Sequence, residues 1–192
     1  PSTQKAELAG RLVIPGIVDG HTHPGYNGAE RFGTMLPETN PEDFLKAVQD
    51  YSESHPGEDM IRLCCWVNNW YVSGKEGPHK EVLDAVVPNR PVWINAEAWH
   101  SAWLNSKALE KIGVDNDTPD PRAGVAVYAR DEAGELTGWV KEGAGWQHFA
   151  EQFPVDVEIH QKSMVAFLDT LSEHGVTTVY DGGNFGYEDQ VY

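Results

Sequence analysis

Apolar positions along the chain fall into short β-type runs separated by stripes of helical period. The run Leu12-Val13-Ile14-Pro15-Gly16-Ile17-Val18 leads into Asp19-Gly20-His21-Thr22-His23 and reads as a short buried strand with a polar tip. Thr39-Asn40-Pro41-Glu42-Asp43 supplies an N-cap, a proline at the first helical position and two acids in the first turn. This predicts a helix to about Ser54, with Phe44, Leu45, Val48 and Tyr51 on its buried face. A strand is expected over 60–67, a short helix over 79–86 ended by Pro88, and a strand over 90–95. Asn105 caps a helix through Ile112 that Gly113 stops, and 124–142 alternates around a glycine turn as a β-hairpin. After a short irregular helix over 143–153, residues 155–174 form a longer one. Ile159, Met164, Val165, Phe167, Leu168 and Leu171 are its apolar positions, and Gly175 closes it. A second buried strand over 175–181 completes the pattern.

Length and charge narrow the function classes. A chain of 192 residues holds one domain or at most two, and 40% hydrophobic residues suffice for a core. No segment approaches the roughly eighteen continuous apolar residues of a membrane span. With 14 basic against 30 acidic residues, the formal charge of −16 repels phosphate backbones and anionic lipid, so neither nucleic acid nor a membrane is an expected partner. The charge does not itself identify a substrate. The two cysteines, Cys64 and Cys65, are adjacent; neighbouring strand residues face opposite ways, so two reduced, packed thiols are expected. No signal-peptide pattern is visible, and the default location is the cytoplasm.

Candidate chemistry lies at the tip of the first strand. Alternation places Asp19, His21 and His23 on one face, where two imidazoles can converge on one cation. Neutral imidazole suits zinc and other first-row metals, and Asp19 is placed to receive a ring N–H behind them. The competing reading is that both histidines cap a strand and hydrogen-bond locally. The seven tryptophans read mostly as core and loop anchors.

Pro15-Gly16 followed by Ile17-Val18-Asp19-Gly20-His21-Thr22-His23 resembles the first barrel strand of the amidohydrolase superfamily. Later segments are similar to its family 3 branch, which includes N-substituted formamide deformylase-like hydrolases. They are Leu83-Asp84 with Pro88 and Arg90-Pro91-Val92, the block from His100 through Trp103, Asn105, Ser106, Ala108 and Leu109, the Asp120-Pro121 to Gly138 hairpin, and Gly175 to Asp181. Ala123 replaces a usual glycine, and Trp139 stands where a small aliphatic residue is usual.

The resemblance implies an α/β fold: a partial metal-dependent hydrolase (β/α)8 barrel, its first two strands only, carrying a large mixed α+β insertion. It divides the chain into 1–26, the end of a β-sandwich segment and the first strand; 27–154, the insertion; and 155–192, a helix and the second strand. A complete barrel needs about 250 residues, so the chain is expected to be an N-terminal fragment that is inactive alone. The implied activity is metal-assisted hydrolysis of amide or other non-peptide C–N bonds in a small-molecule substrate, with a divalent metal, zinc, held by His21 and His23. It places His100 near the substrate side, where nothing local supplies a carboxylate partner. The general base and remaining ligands fall beyond Tyr192, so no catalytic residue is named. His148, His160, Asp181 and Lys141 are candidate recruits to the metal, with helix-surface solvation the ordinary role of His160. A small-ligand binding or regulatory module is the alternative, and exposed strand edges predict self-association.

Overall fold

The computed structural model describes residues 3–26, 33–37, 40–67, 70, 78–154 and 156–182. In chain order, the described strands and α-helices are β1 (Ile17–Thr22), β2 (Thr34–Met35), α1 (Pro41–Ser54), β3 (Ile61–Trp66), α2 (Lys80–Val86), β4 (Val92–Ala96), β5 (Ser101–Leu104), α3 (Ser106–Ile112), β6 (Val127–Arg130), β7 (Leu136–Lys141), α4 (Trp146–Gln152), α5 (Val157–Glu173) and β8 (Val176–Asp181). Short 3-10 turns occupy Pro24–Tyr26 and Glu142–Ala144. No helix among the described residues is long and apolar enough to cross a membrane. The architecture is mixed α/β and divides into two compact units, Pro1–Gly28 with Asp156–Tyr192, and Ala29–Val155.

The larger unit is built on a six-stranded sheet in the order β2-β3-β4-β5-β7-β6, parallel from β2 to β4 and antiparallel beyond. Strand alternation gives each face its own core. One contains Phe44, Val48, Ile61, Leu63, Trp66, Leu83, Ile94 and Trp103; the other contains Trp93, Leu104, Tyr128, Val140 and Phe149. Trp66, Trp93 and Trp103 are fully buried, each an anchor of large apolar area.

Local signals explain the helix ends. Asn40 is the N-cap of α1, its side chain accepting from the Asp43 N–H at 3.0 Å, with Pro41 at the first turn. Arg90 closes the other end of α1, donating to the carbonyls of His55 (2.7 Å) and Ser52. Asn105 caps α3, and Gly113 ends it in the left-handed region at φ 71°.

Three expectations are corrected here. The stretch before Asn105, where no strand was expected, contains β5, which pairs with both β4 and β7; Trp103 sits in its buried face because it lies opposite Ile94 and Trp139. Cys64 and Cys65 are joined as a disulfide instead of standing as separate thiols. The reason is a bulge: Cys64 pairs with Asn95 and Trp66 with Ala96, so Cys65 is left over, at φ 83°, and the regular alternation that would separate the two side chains is broken.

The third correction concerns the smaller unit, where β1 and β8 form a two-stranded parallel sheet followed along the chain by no third described strand of the same sheet. Both were expected to be buried, yet Ile17 is 47% exposed, Val18 66% and Tyr180 65%. Two strands cannot cover two faces. In α5, likewise, Ile159 and Val165 are exposed, and the buried positions are His160 and Met164. Residues 6–10 form no strand.

Candidate metal centre

The tip of the β1–β8 pair gathers the candidate ligands. Thr22 lies opposite Asp181, and the Gly182 N–H donates to the Thr22 carbonyl at 2.8 Å, so the chain just past β8 stays beside the chain just past β1. Two glycines allow this closeness. A Cβ on Gly16 would fall 2.1 Å from Thr177 Oγ1, and one on Gly182 2.6 Å from Cε1 of His21.

His21 and His23 have ring centroids 5.0 Å apart in an edge-to-face arrangement. His23 turns Nδ1 toward Asp181 Oδ1 at 3.6 Å, an ion-pair separation longer than a hydrogen bond. Asp19 Oδ1 accepts the main-chain N–H of His21 at 3.1 Å, where β1 loses regular register between Asp19 and Thr22. Asp19 thus acts on the backbone that carries His21, and the carboxylate facing an imidazole is that of Asp181. Two imidazoles and a carboxylate are the donor chemistry of a first-row divalent ion. The residues present fit such an ion in kind, although no group of three or more His, Cys, Asp or Glu among the described residues is closed tightly enough to form a cage.

Of the other candidate recruits, His148 and Lys141 belong to the larger unit and His160 to α5 of the smaller one. His160 is 4% exposed on α5, so burial and not solvation is its role. His148 belongs to the larger unit, its Nε2 3.0 Å from the hydroxyl of Tyr128, which also lies 3.2 Å from the Ala144 carbonyl.

His100 also belongs to the larger unit, and it has the carboxylate partner that its local sequence lacks. Its Nδ1 is 2.9 Å from Glu142 Oε2, and the Glu142 N–H donates to the His100 carbonyl at 2.7 Å. The pair forms because β5 and β7 are antiparallel neighbours, with Ser101 opposite Lys141. Forty-two residues separate the two in sequence, so no motif spacing reveals it. Glu142 itself and Trp99, the neighbour of His100, both have left-handed backbones, at φ 51° and 66°. Beside them, Lys141 Nζ lies 3.6 Å over the Trp139 ring, and burial holds its ammonium below the usual lysine range.

Against known proteins, the model of the amidohydrolase family matches residues 6–191. The chain is 28% identical over 186 residues to LONG AFTER FAR-RED 3 of Arabidopsis thaliana, covering 95% of this chain and 31% of that protein. It is 28% identical over 189 residues to the exoenzymes regulatory protein AepA of Pectobacterium carotovorum subsp. carotovorum (95% and 40%), and 28% identical over 162 residues to the N-substituted formamide deformylase of Arthrobacter pascens (79% and 29%). A crystal structure of an uncharacterized metal-dependent hydrolase from Pyrococcus horikoshii OT3 aligns over 86% of this chain and 30% of its own, with a TM-score of 0.47 and 22% identity. The chain spans less than half the length of each of these relatives. With the family model running almost from one end of the sequence to the other, and the His-x-His strand tip inside it, the chain belongs to the amidohydrolase family.

Proposed function

We propose that this chain supplies the first two strands of a metal-dependent hydrolase (β/α)8 barrel together with its large α+β insertion. On this reading it takes part in hydrolysis of amide or other non-peptide C–N bonds. The observation that carries the proposal is the meeting of His21, His23 and Asp181 at one end of a parallel strand pair, the end where barrels of this class assemble their sites. The relative from Arthrobacter pascens, named for N-substituted formamides, supports this substrate class.

His21 and His23 would hold the ion, zinc by ligand type, which when bound supplies a water of lowered pKa and polarises a carbonyl. The chain's own residues set the stage for it. Asp19 fixes the backbone turn at His21, Asp181 places its carboxylate 3.6 Å from Nδ1 of His23, and Gly182 leaves room for the His21 imidazole. Two imidazoles leave a four-coordinate ion short of ligands, so the 192-residue chain is expected to turn over slowly or not at all by itself.

The test is metal content of dialysed, tag-free protein, measured by elemental analysis beside formate release from a panel of N-substituted formamides. With the dialysis buffer holding zinc at a fixed low concentration, the wild type is expected to hold up to one equivalent, bound with modest affinity. His21→Ala/His23→Ala should lose it, and Gly182→Ala should lose most of it by displacing the His21 ring. Retention of metal by the double variant would overturn the assignment. A regulatory or small-ligand module is the second reading, favoured by the name of AepA, which matches over 95% of this chain. Saturable ligand stabilisation with no metal in any sample would select it.

A further inference from the structure

Both cysteines of the chain meet at one irregularity of the larger unit. Cys64 is a regular residue of β3, opposite Met35 on one side and Asn95 on the other, and it is 2% exposed. Cys65 is the extra residue of the bulge, opposite no residue of β4, and it is half-buried. The disulfide between them joins adjacent residues, with Cα atoms 3.7 Å apart. A cross-link stabilises mainly by restricting the unfolded chain, and it does so less the shorter the loop it closes. A bond between neighbours closes almost none, and the sheet around it has a core on each face. Holding the fold together is therefore not its main effect.

The backbone keeps the two sulfurs together whether or not they are bonded. Trp66, next along β3, is fully buried and donates its indole N–H to the Ile94 carbonyl at 3.2 Å. Its main-chain carbonyl accepts from the Glu97 N–H at 3.0 Å. Removing the bulge would slip β3 by one residue from Cys65 onward and turn Trp66 to the opposite face, away from Trp103 and Trp139. The packing of one large side chain thus opposes that slip. It holds Cys65 at φ 83°, a region that a non-glycine residue occupies only when its surroundings require it. A reduced pair on this backbone is poised to close again, and no third cysteine competes for either sulfur.

We propose that Cys64 and Cys65 are a site of reversible thiol–disulfide exchange with a small external thiol and its disulfide. Unequal burial assigns the roles: Cys65 is the sulfur that meets the external reagent, and Cys64 the one that resolves. In the reducing direction an external thiolate attacks Sγ of Cys65, the bond between the two Sγ atoms breaks, and Cys64 leaves as a thiolate that takes up a proton. A second external thiolate then attacks the outer sulfur of the mixed disulfide and releases Cys65. Two external thiols are thereby oxidised to one disulfide, and the protein pair gains two electrons and two protons. Oxidation runs the same steps backward, with the Cys64 thiolate displacing the external thiolate from Cys65. The site is confined to the larger unit and does not depend on the metal assignment.

The experiment equilibrates the folded chain in buffers of varied ratio of reduced to oxidised glutathione, approached from both directions, followed by acid quench, alkylation and intact mass. A single two-electron transition is expected between a form carrying two alkyl groups and a form carrying none, at the same ratio from either side. In oxidised glutathione, Cys64→Ser should accumulate one glutathione adduct. Cys65→Ser should acquire it about tenfold more slowly, because the buried sulfur of Cys64 is reached only by local opening. Tryptophan emission shows that each form and variant remains folded. A disulfide that survives excess reduced glutathione in the folded protein and opens only in urea would overturn the proposal, as would two thiols that stay open to alkylation in oxidised glutathione alone. Equal adduct rates in the two folded variants would overturn the division of roles.

Discussion

Asn105 shows how much one side chain can carry. It is fully buried, and its Oδ1 accepts from the N–H groups of Ala108 and Val92, both at 2.9 Å, while its Nδ2 donates to the carbonyls of Val87 and Arg90. Asn105→Ala would leave several buried main-chain groups unpaired, at about 1–3 kcal/mol each where no water enters. The expected loss is about 3 kcal/mol or more, read as a fall in urea midpoint by tryptophan fluorescence. Asn105→Asp is a sharper test, because it keeps the cap acceptor and turns the two donations into contacts between oxygens; it should also destabilise strongly. The cap was legible, since an asparagine before Ser106-Lys107-Ala108-Leu109 announces a helix start. The role in tying β4 to the chain around Val87 and Arg90 was not. Those partners lie 13 to 18 residues away and are set by tertiary packing. The same limit applies to His100, whose Glu142 partner comes from a neighbouring strand, and to Asp181, which sequence spacing cannot single out from His148, His160 or Lys141 at the strand tip.

At the scale of elements, helices with capping signals were the legible part: α1 and α3 begin where Asn40 and Asn105 cap them, and α3 and α5 end at Gly113 and just before Gly175, whereas the Asp156 cap that starts α5 was not read. Strands were less so. β5 has only four residues and directly precedes a helix cap, so its alternation is too short to read, and the bulge at Cys65 changes which side chains meet without altering the apolar pattern. The β6–β7 hairpin, read correctly from its glycine turn, makes a pH-dependent contribution through Tyr128. Burial, aided by the charge of Asp120, raises the Tyr128 phenol above its ordinary value of about 10. A folded pKa raised above the unfolded one gives stability that is complete below the unfolded value and is lost as pH climbs through the folded value. Tyr51 is shifted in the same direction, chiefly by burial. Stability is therefore expected to fall above about pH 10, and Tyr128→Phe should show a shallower decline than the wild type when urea midpoints are compared from neutral to strongly alkaline pH. Parallel declines would remove Tyr128 from the account.

For the whole molecule, the distribution of burial decides what holds by itself. All the tryptophans belong to the larger unit, where Trp66, Trp93 and Trp103 are fully enclosed by a sheet with helices on it. In the smaller unit the buried described residues are Pro24, Gly25, His160 and Met164, while β1 and β8 present Ile17, Val18 and Tyr180 to solvent. At about 25 cal/mol per Å² of apolar surface, so little enclosed area offsets only a small part of the entropy of ordering two strands and a long helix. The His21–His23 tip thus sits on the less stable unit, and its ligand geometry depends on whatever further covers that sheet. Hydrogen exchange should resolve this directly. Amides of β1, α5 and β8 are expected to exchange well before those of β3 and β4, with a difference in opening free energy of about 3 kcal/mol, or about a hundredfold. Association of two copies through the exposed β1–β8 edges would appear as protection of those strands that grows with protein concentration. Added zinc should slow exchange at β1 and at the end of β8 in the wild type and have no effect in His21→Ala/His23→Ala. Equal protection of both units, independent of concentration and metal, would show that the small sheet is stable without a cover and that its exposed apolar face carries no energetic cost.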